Sequence, residues 1–167
     1  PLCIIAGLVE LQLKQGANLL VAGPATWTID GENAATLSHG KLVAQVPRQA
    51  VGFTLTTPSG TIVDLGTEFG VEVVSTGATD VQVFAGVVEV QRQPTDSQPS
   101  QPTRLHQGQA LRLDRGPTET PISPDDTKFA FRRTGGAAFA DGIVIEYSGP
   151  LPVGSVADTH FAPADDD

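Results

Sequence analysis

The sequence predicts an all-β fold, an antiparallel sandwich of jelly-roll type followed by a poorly structured C-terminal extension. Three observations carry this expectation. Gly 18 and Pro 13 punctuate the 167 residues, and few helix-forming runs lie between them. Short stretches repeatedly alternate apolar with polar residues, the period of a half-buried strand. Hydrophobic residues make up 40% and charged residues 17%, which is a globular composition and not a disordered one. The length suffices for one domain with a real core plus a tail. The domain is expected over residues 1–115, and residues 116–167 read as an extension, a linker or the start of a next module.

Residues 4–13 read as a strand with Val9, Leu11 and Leu13 inward, turning at Gln15-Gly16 into a second strand over 17–21. Gly23-Pro24 breaks the chain before a short strand over 26–29 that carries the lone tryptophan, Trp27. Asp30-Gly31 is a turn signal, and strands follow over 34–37, 42–46 and 51–57, parted by His39-Gly40 and Pro47-Arg48-Gln49. Thr61 to Val73 is the most regular stretch. It puts Val63, Leu65, Thr67, Phe69, Val71 and Val73 on a core face, and Asp64, Gly66, Glu68, Gly70 and Glu72 on a wet acidic face. Gly66 and Gly70 are expected to mark a bulge or a close approach of another backbone. Residues 81–84 and 87–90 are expected to pair as a hairpin across Ala85-Gly86. Residues 91–103, with three prolines and no apolar anchor, read as a mobile polar loop before a strand over 105–113. Beyond it, 117–127 reads as loop, 128–133 as a short strand or one helical turn, 143–147 as a strand or the start of a module, and 162–167 as a frayed tail. The phrases that open at Gly7, Gly40 and Gly86 share no fixed period, which argues against a solenoid.

Chemistry is sparse. His39, His106 and His160 are each isolated, without the His-x-His pair of a jelly-roll metal site, and are read as surface-turn residues. Asp64, Glu68 and Glu72 would stand about 13 Å apart at successive steps of four residues, too far to share a metal or act as a glycosidase pair. Asp125-Asp126 and Asp165–Asp167 lack the ligand spacing of a helix-loop-helix calcium site. Nucleophile elbows, phosphate loops and dinucleotide fingerprints are missing from the sequence. Trp27, Phe53, Phe69 and Phe84 sit in strand patterns and are expected in the core. Asp64 can bond a neighbouring turn and Thr67 a buried backbone group, so both are structural candidates. No catalytic residue, cofactor or metal site is expected.

A net charge of −9 disfavours a nucleic-acid partner, which needs a basic patch. Cys3 is the lone cysteine and cannot form an intrachain disulfide. No stretch is long and apolar enough to span a membrane. Beginning at Pro1 and lacking Met, the sequence reads as a piece of a longer protein, with any membrane anchor outside it.

The run Val63-Asp64-Leu65-Gly66-Thr67-Glu68-Phe69-Gly70-Val71, followed by Val81-Gln82-Val83-Phe84-Ala85-Gly86-Val87-Val88-Glu89-Val90, resembles the core signature of FecR-type domains. There a Leu-Gly-Thr-x-Phe-x-Val strand precedes a Val-x-Val-x-x-Gly-x-Val-x-Val hairpin. Gly7-Leu-Val-Glu-Leu, Gly16-Ala-Asn-Leu, Gly23-Pro-Ala-Thr and Gly40-Lys-Leu-Val-Ala-Gln-Val-Pro are similar to the opening of the same domain. The likeness spans about residues 5–115 and makes Asp64, Leu65, Gly66, Thr67, Phe69 and Gly86 its structural motif residues. It implies the extracytoplasmic, periplasmic part of a membrane-anchored regulator, in most cases an anti-sigma factor. Such a domain takes an envelope signal from a receptor or regulator by protein contacts and has no catalysis. The final fifty residues match nothing in the family. A cell-surface adhesion or glycan-binding module is the alternative, and exposed aromatic residues on a concave face would favour it. An enzyme on a jelly roll is disfavoured because its His and carboxylate clusters are missing.

Overall fold

The computed structural model describes residues 1–93, 101–116 and 118–132 in full, and 143–146 by backbone alone. Thirteen strands among these residues form one continuous curled sheet. They are β1 Leu2–Ile4, β2 Leu8–Gln12, β3 Asn18–Gly31, β4 Ala34–Gln45, β5 Thr54–Thr57, β6 Gly60–Asp64 and β7 Glu68–Val73, then β8 Thr79–Ala85, β9 Val87–Arg92, β10 Thr103–His106, β11 Ala110–Leu113, β12 Glu119–Ile122 and β13 Ile143–Glu146.

The sheet folds back on itself so that two halves face each other. In one, β12, β11, β8, β7, the second part of β4, the first part of β3, β2 and β13 lie side by side. In the other, the order is β10, β9, β6, β5, the first part of β4, the second part of β3 and β1. β3 and β4 thus run through both. The expected sandwich is realised as these facing halves, and its all-β character holds. The sheet is mixed, not wholly antiparallel. A short 3-10 helix, Arg48–Ala50, carries the chain across so that β5 lies parallel to β4, and β13 lies parallel to β2.

Between the halves lies one apolar core. Rows such as Leu19–Ala44–Phe69–Val83 and Val21–Leu42–Val71–Val81–Leu111 come from one half; Leu55, Ile62, Val88, Val90 and Leu105 come from the other. Phe53 and Phe69 meet across it at 6.4 Å between ring centroids. Leu11 and Leu13 point inward as expected, and Val9 packs at the margin. Trp27 and Phe53 are core residues, but Phe84 belongs to a smaller cluster on the outer face with Leu20, Val43 and Phe129.

Several sequence expectations are corrected. Gly23-Pro24 and His39-Gly40 bend β3 and β4 without ending them, so four expected short strands are two long ones. The bend is tight: a Cβ on Gly40 would lie 2.5 Å from Cβ of Ala25. The chain breaks instead at residues 5–7, parting β1 from β2, and β5 starts later than expected, after the 3-10 helix. Residues 105–113 are two strands, β10 and β11. Glu119–Ile122 is a strand, not loop, its backbone paired to β11 and its Glu119 carboxylate bonded to Arg92 Nε and Thr103 Oγ1, each at 2.8 Å. Arg92 and Thr103 therefore belong to strands and not to the polar loop, whose residues 94–100 lie outside the described set, as does the tail at 162–167. Asp126–Phe129 is a 3-10 turn, and 143–146 is a strand.

The largest correction concerns 81–90. β8 and β9 do not pair with each other. β8 lies between β7 and β11, and β9 between β6 and β10. A hairpin needs at least two loop residues, and here Gly86 stands alone between the strands, at φ +83°. It makes a corner that sends the chain from one half to the other.

Candidate interaction surfaces

The Leu-Gly-Thr motif builds a second corner against the first. Residues 65–67 separate β6 from β7, so the apparently unbroken alternation hides a change of phase. Ile62 and Asp64 point inward before the corner; Phe69, Val71 and Val73 do so after it. Asp64 is therefore fully buried, not part of a wet acidic face, and Leu65 is 41% exposed, not core. The Asp64 carboxylate accepts from Gly66 N–H at 2.8 Å and from the Thr67 hydroxyl, an aspartate side chain standing in for a backbone turn. Gly66 takes φ +96° at that turn. Burial pushes the Asp64 carboxyl up to about 6, against the bonds from Gly66 and Thr67, which lower it.

The two corners interlock. Leu65 N–H donates to Val87 C=O at 3.2 Å, and a Cβ on Gly86 would stand 2.6 Å from Gly66 C=O. A third corner, at 107–109, stacks on them: Gln107 N–H donates to Gly86 C=O at 3.1 Å and Gly108 N–H to Val83 C=O at 2.9 Å. Of the six motif residues, Asp64, Gly66, Thr67 and Gly86 thus shape the corner, Phe69 fills the core, and Leu65 faces solvent. Val51, 47% exposed, stands near Gly66, with its Cγ2 3.5 Å from where a Gly66 Cβ would be. Exposed Arg48 lies on the same 3-10 segment. A shallow cleft of about 470 Å³ adjoins the corner, lined by Asn18, Val46, Pro47, Gly66, Thr67 and Ala85.

A second surface is the outer face of β7, where sequence reasoning sees only a solvated stripe. Strand register lays out two rows across it. One is Leu20–Val43–Gly70–Gln82; the other is Lys41–Glu72–Asp80–Arg112. The second sets two carboxylates, Glu72 and Asp80, side by side, which is unfavourable unless a cation joins them. Lys128 Nζ does so, at 3.0 Å from Glu72 and 2.7 Å from Asp80. Burial alone would raise the Asp80 carboxyl, but Arg112 and Lys128 outweigh it and hold the group below its ordinary value. Burial lowers Lys128, and the carboxylates of Asp80 and Glu72 more than restore it, leaving it raised.

Around that contact, residues 125–132 lie over the face. Phe129 covers Gly70 so closely that a Cβ there would stand 2.8 Å from the ring, so Gly70 is a close approach by a side chain and not by another backbone. Phe129 also meets Phe84 edge-on at 5.7 Å. Arg132 stacks over Phe84 at 4.2 Å and reaches Glu68 at 3.4 Å. Gln82 fixes the start of the segment, donating to Asp126 at 2.6 Å and accepting from Asp125 N–H at 2.8 Å. Glu68, Gly70 and Glu72 on the strand thus meet Arg132, Phe129 and Lys128, a pairing that no local sequence signal gives.

His39 lies within β4 and His106 within β10, both in strands and not in turns, and His160 is outside the described residues. Among the described residues no cluster of three His, Cys, Asp or Glu could hold a metal, and no helix is long and apolar enough to cross a membrane.

These corners define an all-β domain built to a repeated glycine-corner plan. Residues 8–89 match the family model described as FecR protein, and the chain carries a FecR-like domain. Its fold is similar to that in two crystal structures, at 1.65 and 2.50 Å resolution, of a candidate anti-sigma factor from Parabacteroides distasonis ATCC 8503. TM-scores are 0.62 and 0.60 at 14% and 16% identity, and each match covers 78% of this chain. The chain spans 62% of the length of those proteins. No curated protein matches it.

Proposed function

We propose that this chain is the extracytoplasmic interaction domain of a FecR-type transmembrane regulator, placed in the periplasm and relaying an envelope signal through protein contacts, without catalysis of its own. The FecR match and the fold shared with a candidate anti-sigma factor support the class. The observation that carries the reading is the corner. The motif residues around Leu65 are committed to holding its geometry, while Leu65 itself is turned outward, next in sequence to the Gly66 that exposed Val51 approaches. Such an apolar pair on a rigid, hydrogen-bonded corner suits a protein contact. An extracytoplasmic-function sigma factor would then be controlled from another part of the parent protein, and a membrane segment outside this sequence would anchor it. Exposed rings would favour the glycan-binding alternative; among the described residues Trp27, Phe53, Phe69 and Phe129 are buried and Arg132 stacks on Phe84.

The test is capture from an envelope extract by the purified chain, wild type against a Val51→Asp, Leu65→Asp variant of unchanged circular dichroism, with a glycan array alongside. The expected result is a specific envelope protein retained by the wild type and lost by the variant, with a blank array. Sugar binding without a protein partner, or capture indifferent to both substitutions, would overturn the reading.

A further inference from the structure

We propose that the outer face of β7 is a docking surface for a basic–aromatic peptide segment, filled in the resting chain by residues 125–132 and open to a partner segment of the same chemistry. The face has three features that select such a ligand. Glu72 and Asp80 are juxtaposed carboxylates, flanked by Lys41 and Arg112 on the sheet, and Lys128 shows where a further cation sits between them, within 3.0 Å of both. Gly70 leaves a floor without a side chain, walled by Leu20, Val43 and Phe84, which takes one aromatic ring. Glu68, four residues along the strand, takes a second cation that also lies over the Phe84 ring. The surface reads charge, ring and charge in a fixed order.

The present occupant is built as a ligand is built. It forms one short 3-10 turn, with Asp126, Thr127 and Ala130 exposed. Side-chain contacts do most of the holding: Gln82 to Asp125 and Asp126, Lys128 to the two carboxylates, Phe129 to Gly70, and Arg132 to Glu68 and Phe84. Charge complementarity names the external occupant. On a chain of net charge −9, a positively charged segment with an aromatic residue between its cations is favoured at this face, and an acidic one is repelled. Tethering gives the internal segment an effective concentration on the order of millimolar, so a partner must compete with it. This surface is separate from the Leu65 corner and does not depend on that corner being a contact site.

The experiment uses the whole chain and a synthetic peptide of residues 123–132. Titration calorimetry compares the wild type with Lys128→Ala, Phe129→Ala, which vacates the face. The vacated chain is expected to bind the peptide at least about tenfold more tightly than the wild type, because the tethered competitor is gone. Binding should weaken at about 0.5 M salt, where exposed charges are screened within a few Å. It should vanish with a control peptide bearing glutamate at both basic positions, and also when Gly70→Leu fills the floor of the vacated chain. Leu65→Asp should leave it unchanged, so failure here is distinct from failure of the corner reading. Equal or absent binding in the two chains overturns the proposal, as does binding indifferent to Gly70→Leu. If the vacated chain does not fold, the segment is part of the fold and not a ligand, and the proposal is likewise overturned.

Discussion

Asp64→Asn should make this protein more stable above pH 6 than the wild type, and the size of the gain follows from burial. The carboxyl is fully buried at the corner and titrates at about 6, against 3.8 for an unperturbed aspartate. A folded-state pKa above the unfolded one means that the native state binds the proton more tightly. Stability from this group is therefore complete below about 3.8 and declines as pH rises through about 6. At about 1.4 kcal/mol per pH unit, the interval amounts to about 3 kcal/mol. Asparagine keeps an acceptor for Gly66 N–H and meets the Thr67 hydroxyl with an amide, and it carries no charge to desolvate. Urea denaturation of both proteins from about pH 4 to 7.5 isolates the effect, because other titrating groups cancel in the difference. The two should be nearly equal at the acid end and diverge in favour of the variant by about 3 kcal/mol at the neutral end. A difference that stays constant with pH would show that Asp64 is not desolvated as described. Asp80 acts in a separate window: its lowered value contributes stability above the unfolded pKa of 3.8 that is lost as pH falls further.

Phe69→Ala should cost about 3–5 kcal/mol, since its ring is fully buried against Phe53, and an unchanged denaturation midpoint would refute its place in the core. Gly86→Ala should cost at least about 2 kcal/mol, because the new methyl meets the Gly66 carbonyl oxygen at 2.6 Å in a positive-φ conformation. A thermal melt shows it, and a shift of under a degree would mean that the corner is slack.

What the sequence revealed here, and what it concealed, have physical causes. Period two identified Phe69, Val71 and Val73 correctly because each strand segment packs on one core. It misplaced Asp64 and Leu65 because a three-residue corner changes the phase of alternation without disturbing its appearance. The Ala85-Gly86 corner resembled a hairpin because local turn chemistry does not reveal which strand comes to lie alongside. Bends at Gly23 and Gly40 mimicked strand ends, since a glycine marks both. Glu119–Ile122 was hidden by Pro121, yet an edge position tolerates that residue where a central strand would not. The acidic stripe of Glu68 and Glu72 was legible as a stripe. Its partners, Lys128, Phe129 and Arg132, lie far along the chain, and only the strand register brings Asp80 beside Glu72.

The three stacked corners also govern the order in which this protein can be made. β6 closes against β9, β9 against β10 and β8 against β11, so each strand waits for one synthesised later, and β4 pairs with β5 only after a crossover. Contacts so distant in sequence place such topologies among slow folders, on the order of milliseconds to seconds. A chain emerging from a ribosome cannot close the half that contains β9 until His106 is free, nor pair β8 with β11 until Leu113 follows. Until then, β8 and β9 present unpaired edges, and this nascent interval is the time when the protein is most open to chaperones, proteases and misassembly.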